Sequence, residues 1–442
     1  MGEKMTKSEL ARLVSRIGVF GAVNRGAFDE AFEQPEVEEP IDSFTNMLTK
    51  NLFGRHYSEA TTSVMTYNTV MELESEFIGF RIGIHNIAAT AVTGVKACVA
   101  VRDKVDYNTA DSLWMAETSL SGGTWIDCTF GGATTATLAP ALGTERTSIT
   151  WSDLIPIPSL ARIDGGVRPI IQVRIEFPSG AQYSRPANGI ARWRTLESPR
   201  YFRVSKQAVG GVTDKAAYTQ VANTEQGICV PAVQYYTKKK GKQFLIVGDS
   251  IREGVGATPN GVGAAQLLAY RHSTPDAPID YFNGAIHAQA PMVYSPRVND
   301  MLDVVKPTHV FYAPWSGNDV AVGGITPDAL NRARMALANV IGWVRGARTP
   351  TNLILDEGTP TSTAYKAVGA ADSRRVDFNN WLRNFTGVIT TPGYADAVSV
   401  APDATGQIQI NPSLTSDGVH PNGAGQKLLA DKYEAVVFPS KT

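Results

Sequence analysis

Several things are scarce in this 442-residue chain, and each scarcity closes a route. There are only three cysteines, Cys98, Cys128 and Cys229, far apart and with no CxxC pair. Neither a zinc ribbon nor a disulfide framework is indicated, and buried free thiols are expected. A Cys98–Cys128 disulfide stays open at this point. Net charge is scarce too: the formal value is -1. No overall basic field exists to gather nucleic acid or an anionic membrane. The short run Lys238-Lys239-Lys240 reads as a solvated linker between two structured regions. No window approaches the roughly 18 apolar residues that a membrane span requires. The N-terminal stretch MGEKMTKSELARLVSRIG lacks an apolar core and a small-residue cleavage site. A cytoplasmic or particle-associated protein is expected unless a leader has been removed. Finally, His56, His85, His272 and His309 show no HxH or HExxH spacing, so no metal and no cofactor are expected.

What is present is apolar enough for a sizeable core: 43% of residues are hydrophobic and 19% charged. Length alone suggests two or three domains. Residues 5–35 read as helical. Thr6 can cap, and Leu10, Leu13, Val14 and Ile17 share one face. This defines an N-terminal helical arm, residues 1–60, that could mediate homo-oligomerisation. Residues 61–240 carry short alternating segments: Phe80, Ile82 and Ile84; Val95, Ala97, Val99 and Val101; Ile171, Val173, Ile175 and Phe177. Turns such as Ser121-Gly122-Gly123 and Asp164-Gly165-Gly166 separate them. That texture predicts an all-β sandwich, jelly-roll-like. Trp114, Trp125, Trp151 and Trp193 lie in it, either as packing or as a sugar-stacking platform, packing being favoured.

From Gly241 to the end the texture changes again. Apolar strands at Gln243–Val247, Ile279–Phe282, His309–Ala313 and Asn352–Leu355 alternate with helices. The helices fall at Val262–Tyr270, Val293–Val304, Pro327–Val344, Ala371–Thr386 and Gly423–Val436. This predicts an α/β domain, residues 241–442, with a parallel sheet covered on both faces. In such a sheet, reactive groups gather beyond the carboxyl ends of the strands.

Those ends are informative. The first strand runs into Gly248-Asp249-Ser250, the second into Asn283-Gly284-Ala285-Ile286-His287-Ala288. The third runs into Trp315-Ser316-Gly317-Asn318-Asp319. The terminal segment carries Asp417-Gly418-Val419-His420. A hydroxyl, a histidine with a carboxylate three residues earlier, and an amide donor together suit acyl transfer. Each piece alone reads equally well as a turn or a cap. Their joint occurrence, in order and at strand ends, resembles the SGNH/GDSL hydrolase family. The resemblance spans residues 241–438.

The resemblance implies a serine esterase with Ser250 as nucleophile, His420 as base and Asp417 orienting it. It implies an oxyanion hole from the Ser250 and Ala288 N–H groups and the Asn318 side chain. A shifted alignment places the second donor on Gly284. The family has glycine where Ala288 stands, and alanine is expected to serve if its φ is negative. His287 beside it reads as a loop residue rather than a substrate contact. Substrates would be short acyl esters, with O-deacetylation of a glycan suggested by the added β-rich region. The alternative is a non-catalytic glycan-binding or structural protein, phage-tail-like, built on the same scaffold.

Overall fold

The spine of the C-terminal region is the strand Lys242–Val247, sequence KQFLIV, whose last five residues are buried. Such a run cannot face water on either side, so it must sit inside a sheet covered twice. In the computed structural model it pairs in parallel with Ile279–Asn283 on one side and His309–Tyr312 on the other. Asn352–Leu355 and the short strand Ile389–Thr390 follow beyond His309–Tyr312. Phe244 and Ile246 point to one hydrophobic cluster with Leu268, Ala269, Leu429, Ala430 and Tyr433. Leu245 and Val247 point to a second, with Val298, Leu302, Leu337, Val340, Phe378 and Leu382. Helices Ala264–His272 and Gly423–Val437 therefore cover one face. Pro296–Val305, Pro327–Arg345 and Gly369–Arg383 cover the other. Three layers result, as the alternating pattern predicts.

The structure describes residues 46–104, 124–143, 146–186, 200, 202–207, 212, 229–257, 262–318, 327–361, 369–385, 388–401 and 408–439. The helix expected over 5–35, Ser121-Gly122-Gly123, Trp114, Trp193 and Asp319 lie outside these residues.

The β-rich region consists of antiparallel sheets. One joins Met47–Lys50, Ala232–Tyr236, Gly79–Asn86 and Ser148–Trp151. Another joins Phe202–Gln207, Met65–Glu72, Ile170–Phe177, Val92–Arg102 and Ile126–Asp127. Phe80, Ile82 and Ile84 of the first share a core with Val95, Ala97, Val99, Val101, Ile171, Val173 and Ile175 of the second. The polar residues of Ile170–Phe177 are buried as well. Gln172 receives a bond from Arg102 and donates to Asn68, and the Arg174 guanidinium lies 4.3 Å from the Trp125 ring centroid. Arg102 covers the same ring and Arg81 covers Trp151. These two tryptophans are packed under guanidinium groups. All three cysteines are buried free thiols, so no Cys98–Cys128 bridge forms.

The boundary at residue 60 requires correction. Met47–Lys50 pairs with Ala232–Tyr236, and His56–Ala60 pairs with Gln182–Pro186. The β-rich region therefore begins at least fourteen residues earlier than the alternating pattern indicates. These strands are too short for their alternation to show. Asn46–Thr442 forms one compact unit, in which antiparallel sheets and parallel sheet share a continuous hydrophobic cluster.

Candidate active site

Gly248 ends the central strand in a tight space. A side chain there would lie 2.5 Å from Arg252 Cγ and 3.1 Å from Ala313 Cβ. Asp249 follows as the cap of a single helical turn, Ser250–Glu253, its Oδ1 accepting the Ile251 N–H at 3.0 Å. Ser250 is thus the first residue of that turn, where backbone N–H groups have no helical partner. Arg252 of the same turn is buried, pairs with Asp356 at 2.7 Å and stacks on Tyr394, which fixes the turn against the sheet.

The terminal segment reaches the serine from across the chain. Asp417, Gly418 (φ +78°) and Val419 form a tight turn. Asp417 Oδ1 accepts the N–H groups of Val419 and His420 at 2.9 and 2.8 Å. Its Oδ2 lies 2.5 Å from His420 Nδ1, and His420 Nε2 lies 2.8 Å from Ser250 Oγ. Partial burial pushes the Asp417 carboxyl up. The His420 ring and the two backbone N–H donors outweigh that and hold it down at about 2. Asp417 is therefore a carboxylate in neutral solution, and it accepts the hydrogen bond from His420 Nδ1–H, which leaves Nε2 free to accept from Ser250. The structure brings Ser250, His420 and Asp417 into one chain of contacts.

Asn318 lines the same cleft as Ser250, with Trp315, Thr359, Thr361 and Val419. Its amide donates to Gln289 O at 3.1 Å and to Ser316 Oγ at 3.0 Å. Ser316 in turn donates to Asp249 Oδ2 at 2.7 Å. The asparagine is thereby tied to the residue that caps the turn carrying Ser250. Ser316 stands in the sequence motif, but nothing in the pattern marks it as the bridge.

The two readings of the second backbone donor separate cleanly. The Gly284 N–H donates to Ile246 O at 2.8 Å as a continuation of the sheet. It is spent on the ladder, so Gly284 is withdrawn as an oxyanion donor. Among the described residues, no hydrogen bond takes the N–H of Ser250 or Ala288. Ala288 has φ +60°, not the negative value expected of an alanine. This conformation costs a Cβ-bearing residue about 1 kcal/mol, but it leaves the N–H intact, because the preceding peptide sets its direction. It also gives a reason for glycine at this position in the family pattern. His287 sits with Nδ1 3.6 Å from Glu253 Oε2. Burial, then Arg55 and His420, lower it to about 4, so it is neutral near pH 7.

A further requirement falls on Gly256 (φ +81°), which the sequence does not flag. A side chain there would stand 2.7 Å from His420 Cβ. The histidine backs directly onto this glycine.

No protein-family model matches the sequence, and no curated protein matches it. Among solved structures, the chain is similar to a member of the lipolytic G-D-S-L family from Veillonella parvula. That comparison gives 18% identity, 45% of this chain, 100% of that one and a TM-score of 0.33. It is similar to a GDSL-like lipase from Bacteroides thetaiotaomicron at 17% identity, 44% and 87% coverage and TM-score 0.32. A catalytic mutant of an acetylxylan esterase from Geobacillus stearothermophilus gives 18% identity, 44% and 94% coverage and TM-score 0.33. Likeness this remote does not fix chemistry, which has to come from the side chains themselves.

Proposed function

We propose that this protein is a serine esterase that forms an acyl-enzyme on Ser250. The observation that carries the reading is the contact chain Ser250 Oγ–His420 Nε2–Asp417, at 2.8 and 2.5 Å. As Ser250 Oγ bonds to the ester carbonyl carbon, its proton passes to His420 Nε2. Asp417 stabilises the imidazolium that forms. The negative oxygen of the tetrahedral intermediate is held by the N–H groups of Ser250 and Ala288 and by the Asn318 amide. For the amide to serve, one of its hydrogens leaves Gln289 O or is shared with it. The C–O bond to the alcohol breaks, and the alcohol leaves with the proton from His420. Water then attacks the acyl-enzyme, with the same histidine as base, and frees the acid.

The cleft beside Ser250 is lined by Trp315, Thr359, Thr361 and Val419, and we take short acyl esters as the class of substrate it receives. Within that class we propose acetyl esters, with acetylated carbohydrate as the preferred alcohol, and we read the two larger antiparallel sheets as a sandwich beside the hydrolase domain. A purely structural role gives no reason to keep serine, imidazole and carboxylate in proton-transfer register. The test is a chain-length series of p-nitrophenyl esters run beside acetylated xylan. Fastest release from acetate and release of acetic acid from the glycan are expected. No turnover of any ester would remove the esterase reading, and preference for octanoate would remove the acetyl assignment alone.

A further inference from the structure

The segment 51–55, which links the strands Met47–Lys50 and His56–Ala60 of the β-rich region, does not turn away from the hydrolase sheet. It runs alongside the edge strand and then beside the loop that ends in Ala288. Asn51 N–H donates to Tyr281 O at 3.0 Å, and Asn283 N–H donates to Asn51 O at 2.8 Å. Side chains repeat the stitching: Asn51 Nδ2 to Asn283 O at 2.8 Å, and Asn283 Nδ2 to Leu52 O at 3.3 Å. Gly54 then meets the loop so closely that a side chain on it would fall 1.7 Å from Ala285 O. At the end of this seam the Arg55 guanidinium donates to His287 O at 2.7 Å.

That last contact matters because of which peptide it touches. The carbonyl of His287 and the N–H of Ala288 belong to one planar trans unit and point in opposite directions. A donor fixed on the oxygen fixes the bearing of the N–H, which points away from Arg55. Donation from a cation also draws charge toward the oxygen and makes the N–H a stronger donor. Arg55 is itself held: it is 9% exposed, its backbone N–H donates to Glu253 Oε1 at 3.3 Å, and its guanidinium stacks on Tyr57 at 4.8 Å. Ile286 N–H, bonded to Gly248 O at 2.8 Å, ties the loop to the tip of the central strand. A non-glycine residue at φ +60° persists only where its surroundings over-determine it. The seam supplies that constraint.

We infer that Arg55, contributed by the β-rich region, is a positioning residue that orients and polarises the His287–Ala288 peptide so that the Ala288 N–H serves as an oxyanion donor. The inference rests on the esterase reading. It gives the β-rich region a part in the chemistry without any contact to substrate.

The test compares wild type, Arg55→Met and Arg55→Lys in the full chain on p-nitrophenyl acetate. Rates are referred to enzyme titrated by an organophosphonate, so unfolded protein does not count. Arg55→Met should lose about ten-fold in kcat, a fraction of what removing a whole oxyanion donor costs, with KM within about two-fold. Arg55→Lys, which keeps a cationic donor but loses the planar fork of the guanidinium, should recover part of that loss. An Arg55→Met kcat within two-fold of wild type overturns the inference and leaves the esterase reading standing. So does a loss that falls wholly in KM. If Arg55→Met yields no titratable enzyme, Arg55→Lys decides: a several-fold drop in kcat at constant KM supports the role, and wild-type kcat overturns it. A wild type inactive on every ester removes the underlying reading instead.

Discussion

Ser250 Oγ and His420 Nε2 lie 2.8 Å apart, although 170 residues separate them in the chain. The contact depends on two tight pieces of backbone: the single helical turn capped by Asp249 and the Asp417–His420 turn that backs onto Gly256. Each piece can be disturbed separately.

Asn318→Ala removes the amide that spans Gln289 O and Ser316 Oγ. Turnover should fall about a hundred-fold with little change in KM, because an oxyanion donor acts on the transition state more than on bound ester. Steady-state kinetics on p-nitrophenyl acetate checks this. Near-normal kcat takes Asn318 out of the oxyanion site.

Gly256→Ala places a methyl group 2.7 Å from His420 Cβ on a backbone with φ +81°. The histidine has to move by several tenths of an ångström, which lengthens its reach to Ser250. A loss of about ten-fold or more in kcat is expected, in keeping with the steep cost of small misplacements. A folded variant with full turnover would show that His420 tolerates the shift.

Ala288 offers a two-sided comparison. Ala288→Gly relieves the left-handed strain but frees the unfolded chain, so stability should stay level or rise by up to about 1 kcal/mol. Ala288→Val puts a β-branched side chain where none is comfortable, and it should lower both melting temperature and turnover. Thermal melts and kcat measured together are the check. A valine variant as stable and active as wild type contradicts φ +60° at this position.

Acid stability follows from Asp417. Its folded pKa of about 2 lies below the roughly 3.9 of an unfolded aspartate. A depressed carboxylate stabilises the fold fully above the unfolded value, and that stabilisation is lost as pH falls through the folded one. The difference in melting temperature between wild type and Asp417→Asn should be constant above pH 5 and shrink below pH 4. A difference that persists unchanged to pH 2.5 contradicts the assignment.

The parallel sheet was legible because strands such as Phe244–Val247 are continuous apolar runs and the helices between them are long. The meeting of Ser250, His420 and Asp417, and the place of Asn318 in the cleft beside Ser250, were legible because strand ends and short motifs carry these residues. Arg55, Gly256 and Ser316 were not. Each acts through a contact made by distant chain: Arg55 on His287 O, Gly256 under His420, Ser316 on Asp249. No local period or spacing encodes such a contact. Met47–Lys50 and His56–Ala60 escaped for a related reason, since strands of four and five residues show their pairing only through partners far along the sequence. Gly284 shows the converse limit. It fits the motif by spacing, but its N–H is committed to Ile246 O.

The most direct measurement is intact-mass analysis after treatment with an organophosphonate ester, with peptide mapping of the product. A single adduct on Ser250 of the wild type is expected, with loss of ester turnover in step with labelling. None is expected on Ser250→Ala, whose fold should be intact and whose turnover should be lower by several orders of magnitude. An adduct that forms elsewhere, or an active enzyme that stays unlabelled, would contradict Ser250 as the nucleophile.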